Sequence, residues 1–278
     1  MYWWVEMNNM KKNIKNEISL IAIRPPLKWA GGKRWLLPYL KPLWEGHAEK
    51  RFVEPFCGGL SVSLGLTPKK AWINDVNPHV INFYEQIKKG LTITLRFKNE
   101  EDTYYRNRDR FNALIREGQE KNAEAAELFY YLNRTGFNGL CRFNSRGFYN
   151  IPFGRNKKIN YVKDFLEYQK YFEKWKFTNK DFNKMKLKDD DFVYADPPYD
   201  MTFNHYSKGG FSWEDQVRTA KWLAKHTGPV ILSNEATPRI VELYKSLGFK
   251  IAILDAPRTI SCTGDRKKVK EVLATKNI

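Results

Sequence analysis

The sequence predicts an α/β fold, with a Rossmann-like layered sheet and one long segment inserted into it. Strand-like apolar runs alternate with helical stretches over most of the 278 residues, as in a sheet covered by helices. The alternation fails between about residues 85 and 175, where helices come first and a basic, aromatic-rich segment follows. We therefore predict a sheet domain formed by residues 20–84 and 176–278, with residues 85–175 inserted as a second domain.

Short runs rich in β-branched and aromatic residues predict seven strands. They lie near residues 51–55, 70–74, 175–178, 191–195, 229–233, 250–255 and 269–274. Helical periodicity predicts six helices, near residues 34–43, 78–89, 103–117, 121–133, 213–226 and 238–247. Residues 1–19 lack the apolar core of a signal peptide, and we interpret them as an N-terminal extension, either disordered or a tag remnant.

The most informative motif, Asp196-Pro197-Pro198-Tyr199, ends the predicted strand 191–195. The Asp196 carboxylate can accept one N–H bond from an exocyclic amine of a nucleobase, and the Pro197 carbonyl can accept the second. Because proline has no N–H, the loop is stiff and that carbonyl is free. Tyr199 offers an aromatic face to a base taken out of its stack. The motif predicts amine methylation by positioning and electrostatics, although Asp and Pro also form plain turns.

Two glycine-containing loops and one acid predict a cofactor site. The first loop, after strand 51–55, contains Phe56, Cys57 and Gly58, and its glycine lets the backbone approach a ligand closely. Asp75 follows the second strand, where an acid can hold ribose hydroxyls. The second loop contains Trp29, Ala30, Gly31 and Lys33, and it could close over a ligand that carries a carboxylate and an adenine. Taken singly, these are also compatible with a tight turn, a solvated acid and a loop before a helix.

Residues 134–158 are basic and contain no acid. Their cations are Arg134, Arg142, Arg146, Arg155, Lys157 and Lys158, interleaved with Phe137, Phe143, Phe148, Tyr149 and Phe153. Cations suit phosphates and base edges, and aromatics suit stacking or wedging, so we prefer a duplex-reading hairpin to one whose aromatics only pack onto the domain. The net charge of +17 also favours a polyanionic partner, although a cationic solvated surface would give the same value.

Composition argues against several other classes. Cys57, Cys141 and Cys262 are far apart without a C-x-x-C pair, which indicates a reduced, intracellular and hence cytoplasmic protein. The four histidines (His47, His79, His205 and His226) lack metal-ligand spacing, so we expect no metal. No apolar run reaches about 18 residues, so we expect no membrane span. The sequence indicates no obligate protein partner.

These motifs, in this order, resemble the DNA adenine methyltransferase (Dam) family, the α group of adenine-N6 DNA methyltransferases. The resemblance covers about residues 24–275, and its most specific part, residues 131–155, is similar to the family's DNA-reading hairpin, expected here at about 136–156. It implies a Rossmann-like S-adenosylmethionine-dependent methyltransferase sheet with an inserted helical and β-hairpin DNA-recognition domain at 85–175. It also implies S-adenosyl-L-methionine as cofactor and double-stranded DNA as partner, in bacteria or encoded by a phage.

The resemblance assigns roles to single positions. It implies cofactor contacts from Trp29, Ala30, Gly31, Lys33, Phe56, Cys57, Gly58, Asp75, Asp196 and, by a weaker match, Asp181 and Phe182. It implies DNA contacts from Lys28, Arg134, Phe137, Asn138, Leu140, Arg142, Asn144, Pro152 and Arg155. Because Lys28 resembles a base-contacting lysine, Arg142 a guanine reader, and Leu140 and Pro152 contacts to a thymine methyl, we expect GATC as the site. Phe137 replaces a tyrosine of close relatives, and Cys57 a frequent valine.

Other functions remain open at this point. A cytosine-N4 methyltransferase would use similar chemistry, although that group more often has serine in place of Asp196. An RNA or protein-glutamine methyltransferase could use the same pocket, but the hairpin argues against it. A DNA-binding regulator with a silent catalytic fold is less favoured, because Trp29, Lys33, Asp75 and Asp196 are all intact. The loop 201–211 is interpreted as a surface loop that could become ordered when DNA arrives.

Overall fold

The computed structural model describes residues 23–199, 210–257 and 269–278, and these ranges contain a seven-stranded sheet. Its strands are β1 (Phe52–Glu54), β2 (Ala71–Asn74), β3 (Trp175–Thr178), β4 (Phe192–Ala195), β5 (Val230–Glu235), β6 (Lys250–Ala256) and β7 (Val269–Lys276). All seven predicted strands are confirmed, with ends within two residues of those expected. Residues 1–19, positions 201–209 of the loop, Cys262 and His205 lie outside the described ranges.

The strand order is β3-β2-β1-β4-β5-β7-β6, and β7 runs antiparallel to both of its neighbours. Central strands β1 and β4 are buried at every position, which explains why they read as continuous apolar runs. Edge strand β6 instead alternates between exposed and buried residues, because one of its faces meets solvent. Strand order reverses between β1 and β4, so a crevice opens beyond their carboxyl ends, where such sheets bind ligands.

Eight α-helices lie within the described residues. They are α1 (Leu37–Glu45), α2 (Ser63–Leu66), α3 (Pro78–Lys88), α4 (Glu101–Arg116), α5 (Ala123–Thr135), α6 (Leu166–Phe172), α7 (Trp213–Ala224) and α8 (Pro238–Ser246). The six predicted helices are confirmed, and the first begins later than expected because Arg34–Leu36 forms a 3-10 turn. The sequence missed α2 and α6, which have four and seven residues and are too short for a clear periodic pattern.

Capping side chains fix the start of the helices that border the crevice. Asn77 accepts hydrogen bonds from the backbone N–H groups of His79 and Val80, and Pro78 occupies the first turn of α3. Ser212 and Asp215 form a reciprocal capping box at the start of α7. Both helices therefore begin at defined residues next to the carboxyl edge of the sheet.

The inserted segment shares one hydrophobic core with the sheet. Helix α3 connects them, since Phe83 stacks on Tyr130 of α5 at 5.2 Å between ring centroids, and Tyr84 meets Phe172 of α6 at 5.9 Å. Residue 85 falls inside α3, which runs to Lys88. The division into a sheet domain and a target-recognition domain stays a prediction.

Residues 136–156 double back on themselves as an irregular hairpin. Two isolated antiparallel bridges join its arms, Gly136 with Phe153 and Phe143 with Tyr149. At its tip the Asn144 side chain accepts hydrogen bonds from the backbone N–H groups of residues 146 and 148, at 2.9 and 3.0 Å. None of the described helices is long and apolar enough to cross a membrane.

Candidate active site

A cavity of about 740 Å³ lies at the carboxyl ends of β1, β2 and β4. Every residue predicted to contact a cofactor lines it, together with Asp196, Pro197, Pro198 and Tyr199. Several other residues line the cavity without a role predicted from the sequence, namely Glu54, Lys180, Tyr194, Phe211, Asp215 and Arg218. The fold thus brings together motifs that are far apart in the chain, and the individual role of each residue stays a prediction.

The two glycine loops pack directly against each other. A Cβ atom on Gly58 would lie 2.4 Å from Nε1 of Trp29, and one on Gly59 would lie 2.7 Å from the Trp29 Cβ. Gly58 also has a φ of +43°, which disfavours other residues. The loop after β1 therefore requires glycine, because only glycine lets its backbone approach the indole of Trp29.

Asp75 fixes the loop after β1 from the adjacent strand. One carboxylate oxygen accepts the backbone N–H of Gly58 at 2.9 Å, and the other accepts that of Asn77 at 2.9 Å. Burial raises the pKa of Asp75, and these backbone bonds oppose the rise. The Cys57 thiol lies beside it, with Sγ 3.9 Å from Oδ2, and burial raises the pKa of that thiol well above its usual value. Cys57 is therefore protonated at neutral pH.

Asp196 is held from both sides at the end of β4. Its Oδ2 forms an ion pair with Nζ of Lys33 at 2.8 Å, and its Oδ1 accepts a hydrogen bond from Ser233 Oγ at 2.9 Å. Ser233 is bonded in turn to the Tyr194 hydroxyl at 3.0 Å. Lys33, predicted only as a cofactor contact, thus also connects the glycine loop at residues 29–33 to the Asp196 loop. Because both of its oxygens are bonded, the Asp196 carboxylate has a fixed orientation.

Glu271 of β7 completes the same charge cluster and was missed by the sequence analysis. Its Oε1 lies 3.5 Å from Nζ of Lys33, and its carboxyl interacts with the Tyr199 hydroxyl. Burial raises the pKa of Glu271 to about 7, against the opposing effect of Lys33. Burial, reinforced by Asp196, also raises the pKa of Tyr199 well above its usual value. Lys33 Nζ lies 4.6 Å from the Tyr199 ring centroid, so Lys33, Asp196, Glu271 and Tyr199 form one cluster.

Glu54, the last residue of β1, is a second buried acid at the cavity. Only 3% of it is exposed, and its carboxyl accepts a hydrogen bond from the Ser63 hydroxyl. Burial raises the pKa of Glu54 to about 8, with a further contribution from Asp196. A carboxyl that is largely neutral at pH 7 in an open cavity will respond strongly to a cationic ligand.

Aromatic rings line the other end of the cavity. Phe56 lies 5.3 Å from Phe182 and 5.7 Å from Phe211, between ring centroids. The Arg218 guanidinium lies 4.4 Å from the Phe182 centroid and binds Asp181 through two bonds of 3.0 Å. This end presents apolar faces and a fixed carboxylate, which suits a flat heteroaromatic ring.

Lys28 connects the glycine loop at residues 29–33 to the segment that leads into the hairpin. Its backbone N–H and C=O pair with the side-chain amide of Asn133, both at 2.8 Å, and its Nζ donates to the carbonyl of Arg134 at 3.1 Å. A Cβ on Gly139 would lie 2.4 Å from the Lys28 Cβ. Burial, followed by the charge of Arg134, lowers the pKa of Lys28. Since Lys28 directly precedes Trp29, which lines the cavity, the residues predicted to read DNA begin next to it.

The other predicted DNA contacts differ in how available they are. Phe137, with 45% of its surface exposed, is accessible, as are Asn138, Arg142, Pro152 and Arg155. Leu140 and Arg134 are half-buried, and Arg134 donates to the Pro26 carbonyl at 3.3 Å. Asn144 Oδ1 is committed to the turn at the hairpin tip. Their contacts with DNA stay predictions.

Four of the five hairpin aromatics contact other side chains of the protein or are buried. Phe143 stacks on His79 at 4.7 Å, Phe153 meets Tyr104 at 5.5 Å, and Tyr149 is buried. Phe148 lies under Arg116, whose guanidinium is 5.5 Å from its centroid. Phe137 is the hairpin aromatic that the fold leaves most available to a partner. Among the described residues, no group of three or more His, Cys, Asp or Glu side chains could hold a metal ion.

Comparison with known proteins agrees with this geometry. The sequence model of the D12 class N6 adenine-specific DNA methyltransferases matches residues 29–260. The type II methyltransferase M1.LlaDCHI of Lactococcus lactis subsp. cremoris is 37% identical, over 94% of this chain and 97% of its own. The retron Ec67 DNA adenine methylase of Escherichia coli is 33% identical, over 89% and 90%. The DNA adenine methylase of Escherichia coli strain K12 is 35% identical, over 89% and 93%.

The family model matches most of the chain, and relatives above 30% identity align along nearly their full length. The Asp196 motif and both glycine loops line one cavity. The chain belongs to the D12 class of N6 adenine-specific DNA methyltransferases.

Proposed function

We propose that this enzyme methylates the exocyclic N6 of adenine within GATC sites of duplex DNA, after the adenine has flipped out of the helix. The observation that carries the proposal is the Asp196 cluster, in which a charged carboxylate is held in one orientation at the cavity edge. The neighbouring Pro197 carbonyl accepts no hydrogen bond from any residue that the structure describes. The sequence supports GATC because Lys28, Leu140, Arg142 and Pro152 match positions that resemble the family's GATC readers.

S-adenosyl-L-methionine is the methyl donor of this enzyme class, and the cavity fits it. A volume of about 740 Å³ lies within the range of small-molecule sites. Phe56, Phe182 and Phe211 would hold the adenine ring, Asp75 the ribose, and the loop at Gly58 the methionine end. When bound, the cofactor supplies a methyl group on a positively charged sulfur.

The chain's own residues prepare the target amine. Asp196 accepts one N–H of the amine and the Pro197 carbonyl accepts the other, so that the nitrogen lone pair is drawn out of conjugation with the ring. Lys33 and Ser233 keep the carboxylate from rotating, which reduces the reorganisation needed in the transition state. Tyr199 supports the flipped base by its ring. The amine proton leaves to solvent after methyl transfer.

The inserted segment would read the duplex. The exposed ring of Phe137 is available to fill the space that a flipped base leaves, and the cations of residues 134–158 suit phosphates and base edges. Lys28 connects this surface to the cavity rim, so reading and chemistry share one structural unit.

The proposal is tested by transfer of labelled methyl from S-adenosyl-L-methionine to two duplexes, one with a single GATC and one with GTTC in its place. We expect labelled adenine-N6 in the first duplex alone. Label in neither duplex, with the cofactor still bound, would overturn the GATC assignment. Label in both would show that the hairpin does not discriminate this base pair.

The role of Asp196 is tested by Asp196→Asn, which keeps the shape of the side chain and removes its charge. We expect at least a hundredfold loss of turnover with DNA affinity largely retained, because the carboxylate acts on the amine and does not contact the backbone. The exposed Asp102→Asn, on α4, serves as the control and should leave turnover unchanged. Normal turnover of Asp196→Asn would refute the assigned role.

A further inference from the structure

We propose that Gln216 of α7 is a positioning residue, which fixes the Asp196-Pro197-Pro198-Tyr199 loop so that the Pro197 carbonyl, and not that of Pro198, serves the target amine. The inference rests on the proposed mechanism, in which a prolyl carbonyl is the second acceptor of the amine. Gln216 does not line the cavity, so it would act through the loop and not by touching substrate.

The contact is short, and its donor side chain is buried although Pro198 itself is exposed. Nε2 of Gln216 donates a hydrogen bond to the Pro198 carbonyl at 2.6 Å, and only 1% of Gln216 is exposed. Its Oε1 accepts a bond from Nδ2 of Asn234 at 2.9 Å, and that Nδ2 also lies 3.1 Å from the Tyr244 hydroxyl. Asn234 itself is fully buried on β5. A chain of side-chain amides therefore runs from the sheet to the loop.

The positions of donors and acceptors permit only one orientation of these two side-chain amides. The Pro198 carbonyl can only accept, so the Gln216 amide must present its NH2 group to it and its oxygen to Asn234. Asn234 then presents its own NH2 group to Gln216, and its Oδ1 accepts the backbone N–H of Glu235 at 2.8 Å. Every member has a partner, and a reversed amide would place two acceptors against each other.

Because of its two prolines, the loop depends on this hydrogen bond for its orientation. Neither proline has an N–H, so backbone donors cannot fix the loop at these positions. The Pro198 carbonyl is committed to Gln216, whereas no described residue donates a hydrogen bond to the Pro197 carbonyl. A loop that rotated to exchange the two carbonyls would leave the buried Gln216 amide without an acceptor.

Helix α7 is itself well anchored where it holds the loop. The capping box of Ser212 and Asp215 fixes its start, and Arg218 joins it to Asp181 beside the aromatic end of the cavity. One helix thus supports the loop through Gln216 and the cofactor end through Arg218. Loss of Gln216 alone should disturb the loop and leave the other end in place.

The test uses two variants of Gln216 in the full-length enzyme, with single-turnover methylation of a GATC duplex. Gln216→Leu removes the donor, and we expect the methylation rate to fall about 10- to 100-fold with little change in the affinity for cofactor or DNA. Gln216→Glu keeps the shape and the acceptor for Asn234, but its ionised form cannot donate. Its protonated form can donate to the Pro198 carbonyl.

The pH profile separates positioning from a general loss of structure. The rate of Gln216→Glu relative to wild type should rise as the pH is lowered, since burial raises a carboxyl pKa and protonation restores the donor. The deficit of Gln216→Leu should stay constant over the same range. The control is Gln169→Glu, because Gln169 makes the same kind of bond to a remote carbonyl, that of Ile87, at 3.0 Å. It should match wild type at every pH.

A Gln216→Leu rate within twofold of wild type, or a Gln216→Glu deficit independent of pH, would overturn the inference. If Gln216→Leu fails to fold, the pH response of Gln216→Glu still decides. Wild-type enzyme in the same assay tests the proposed function separately. Wild-type methylation of adenine together with unimpaired Gln216 variants would reject the positioning role alone.

Discussion

At the scale of single residues, the cavity concentrates buried charge. Lys33, Glu54 and Glu271 are each less than 5% exposed, yet all three lie at or beside the cavity. Unpaired burial of such groups is costly, and here the cost is offset by Asp196, Ser63 and Tyr199. Clustered ionisable groups with shifted pKa values are typical of functional sites.

Glu54 should make cofactor binding depend on pH. With a pKa of about 8, it is mostly protonated at pH 7 in the free enzyme. A cationic ligand in the cavity favours the ionised form, so binding releases a proton and affinity should rise with pH up to about 8, then level off. Calorimetry at pH 7 in two buffers of different ionisation enthalpy measures this release.

The comparison for this prediction is the variant Glu54→Gln, which should release up to about one proton fewer than wild type and show a flatter pH dependence. Glu49→Gln is the control, since Glu49 is an exposed acid paired with Lys69. Equal proton release from wild type and Glu54→Gln would contradict the prediction.

Arg142 should set specificity at one guanine. Its Nε donates to Oδ1 of Asn150 at 3.0 Å, which orients an exposed guanidinium whose other nitrogens have no partner among the described residues. Arg142→Ala should reduce discrimination at that base by about 1–3 kcal/mol, roughly 5- to 150-fold. Methylation rates on GATC and its single-base variants measure it, with Arg146→Ala as the control. Unchanged discrimination in Arg142→Ala would contradict the assignment.

At the scale of elements, the loops that follow the parallel strands build the site. The loop after β1 contacts Trp29, and the loop after β4 is held by Lys33, Ser233 and Gln216. Strands that pair in parallel bring these loops to one edge of the sheet. The rigidity of each loop therefore comes from residues on other elements.

Gly58→Ala should weaken cofactor binding at least tenfold, because the added methyl group meets the Trp29 ring at 2.4 Å. Gly118→Ala is a matched control, since Gly118 also has positive φ, +69°, but no atom within 4 Å of an added Cβ. Both variants place alanine at a positive φ, which costs about 1–2 kcal/mol in each case. Calorimetric cofactor affinities and melting temperatures separate that cost from the contact with Trp29. Similar affinities in the two variants would contradict the prediction.

At the scale of the whole molecule, charge is unevenly distributed along the chain. The sequence has 48 basic and 31 acidic residues, yet residues 134–158 contain six cations and no acid. Attraction of this kind is long-ranged, falls with ionic strength and carries no sequence information by itself. Substitutions that remove this charge should therefore lower the affinity for DNA without changing sequence specificity.

Lys157→Ala combined with Lys158→Ala should weaken binding to all duplexes alike. Each phosphate contact contributes about −0.9 to the slope of log K against log salt, so the double variant should flatten that slope by up to about 2. The control replaces Lys69 and Lys70, which are exposed. They precede β2 and therefore lie at the edge of the sheet opposite the carboxyl ends of the parallel strands. An unchanged slope in the first variant would place the DNA elsewhere.

Local sequence patterns are sufficient to predict the seven strands, six of the helices and the motifs that line the cavity. These features are local: apolar runs form buried strands, and glycine or proline at a strand end marks a loop. The same locality explains why α2 and α6 were missed, since so few residues cannot establish a period.

Which side chains complete the site depends on the packing of distant elements against one another. Glu271 is one acid in an antiparallel strand, and Gln216 is one polar residue in an amphipathic helix, so neither differs locally from a solvated residue. The strand order places β7 beside β5 and β5 beside β4, which brings Glu271 to Lys33 from the other end of the chain. Burial then gives both residues their importance, because a buried polar group must find a partner.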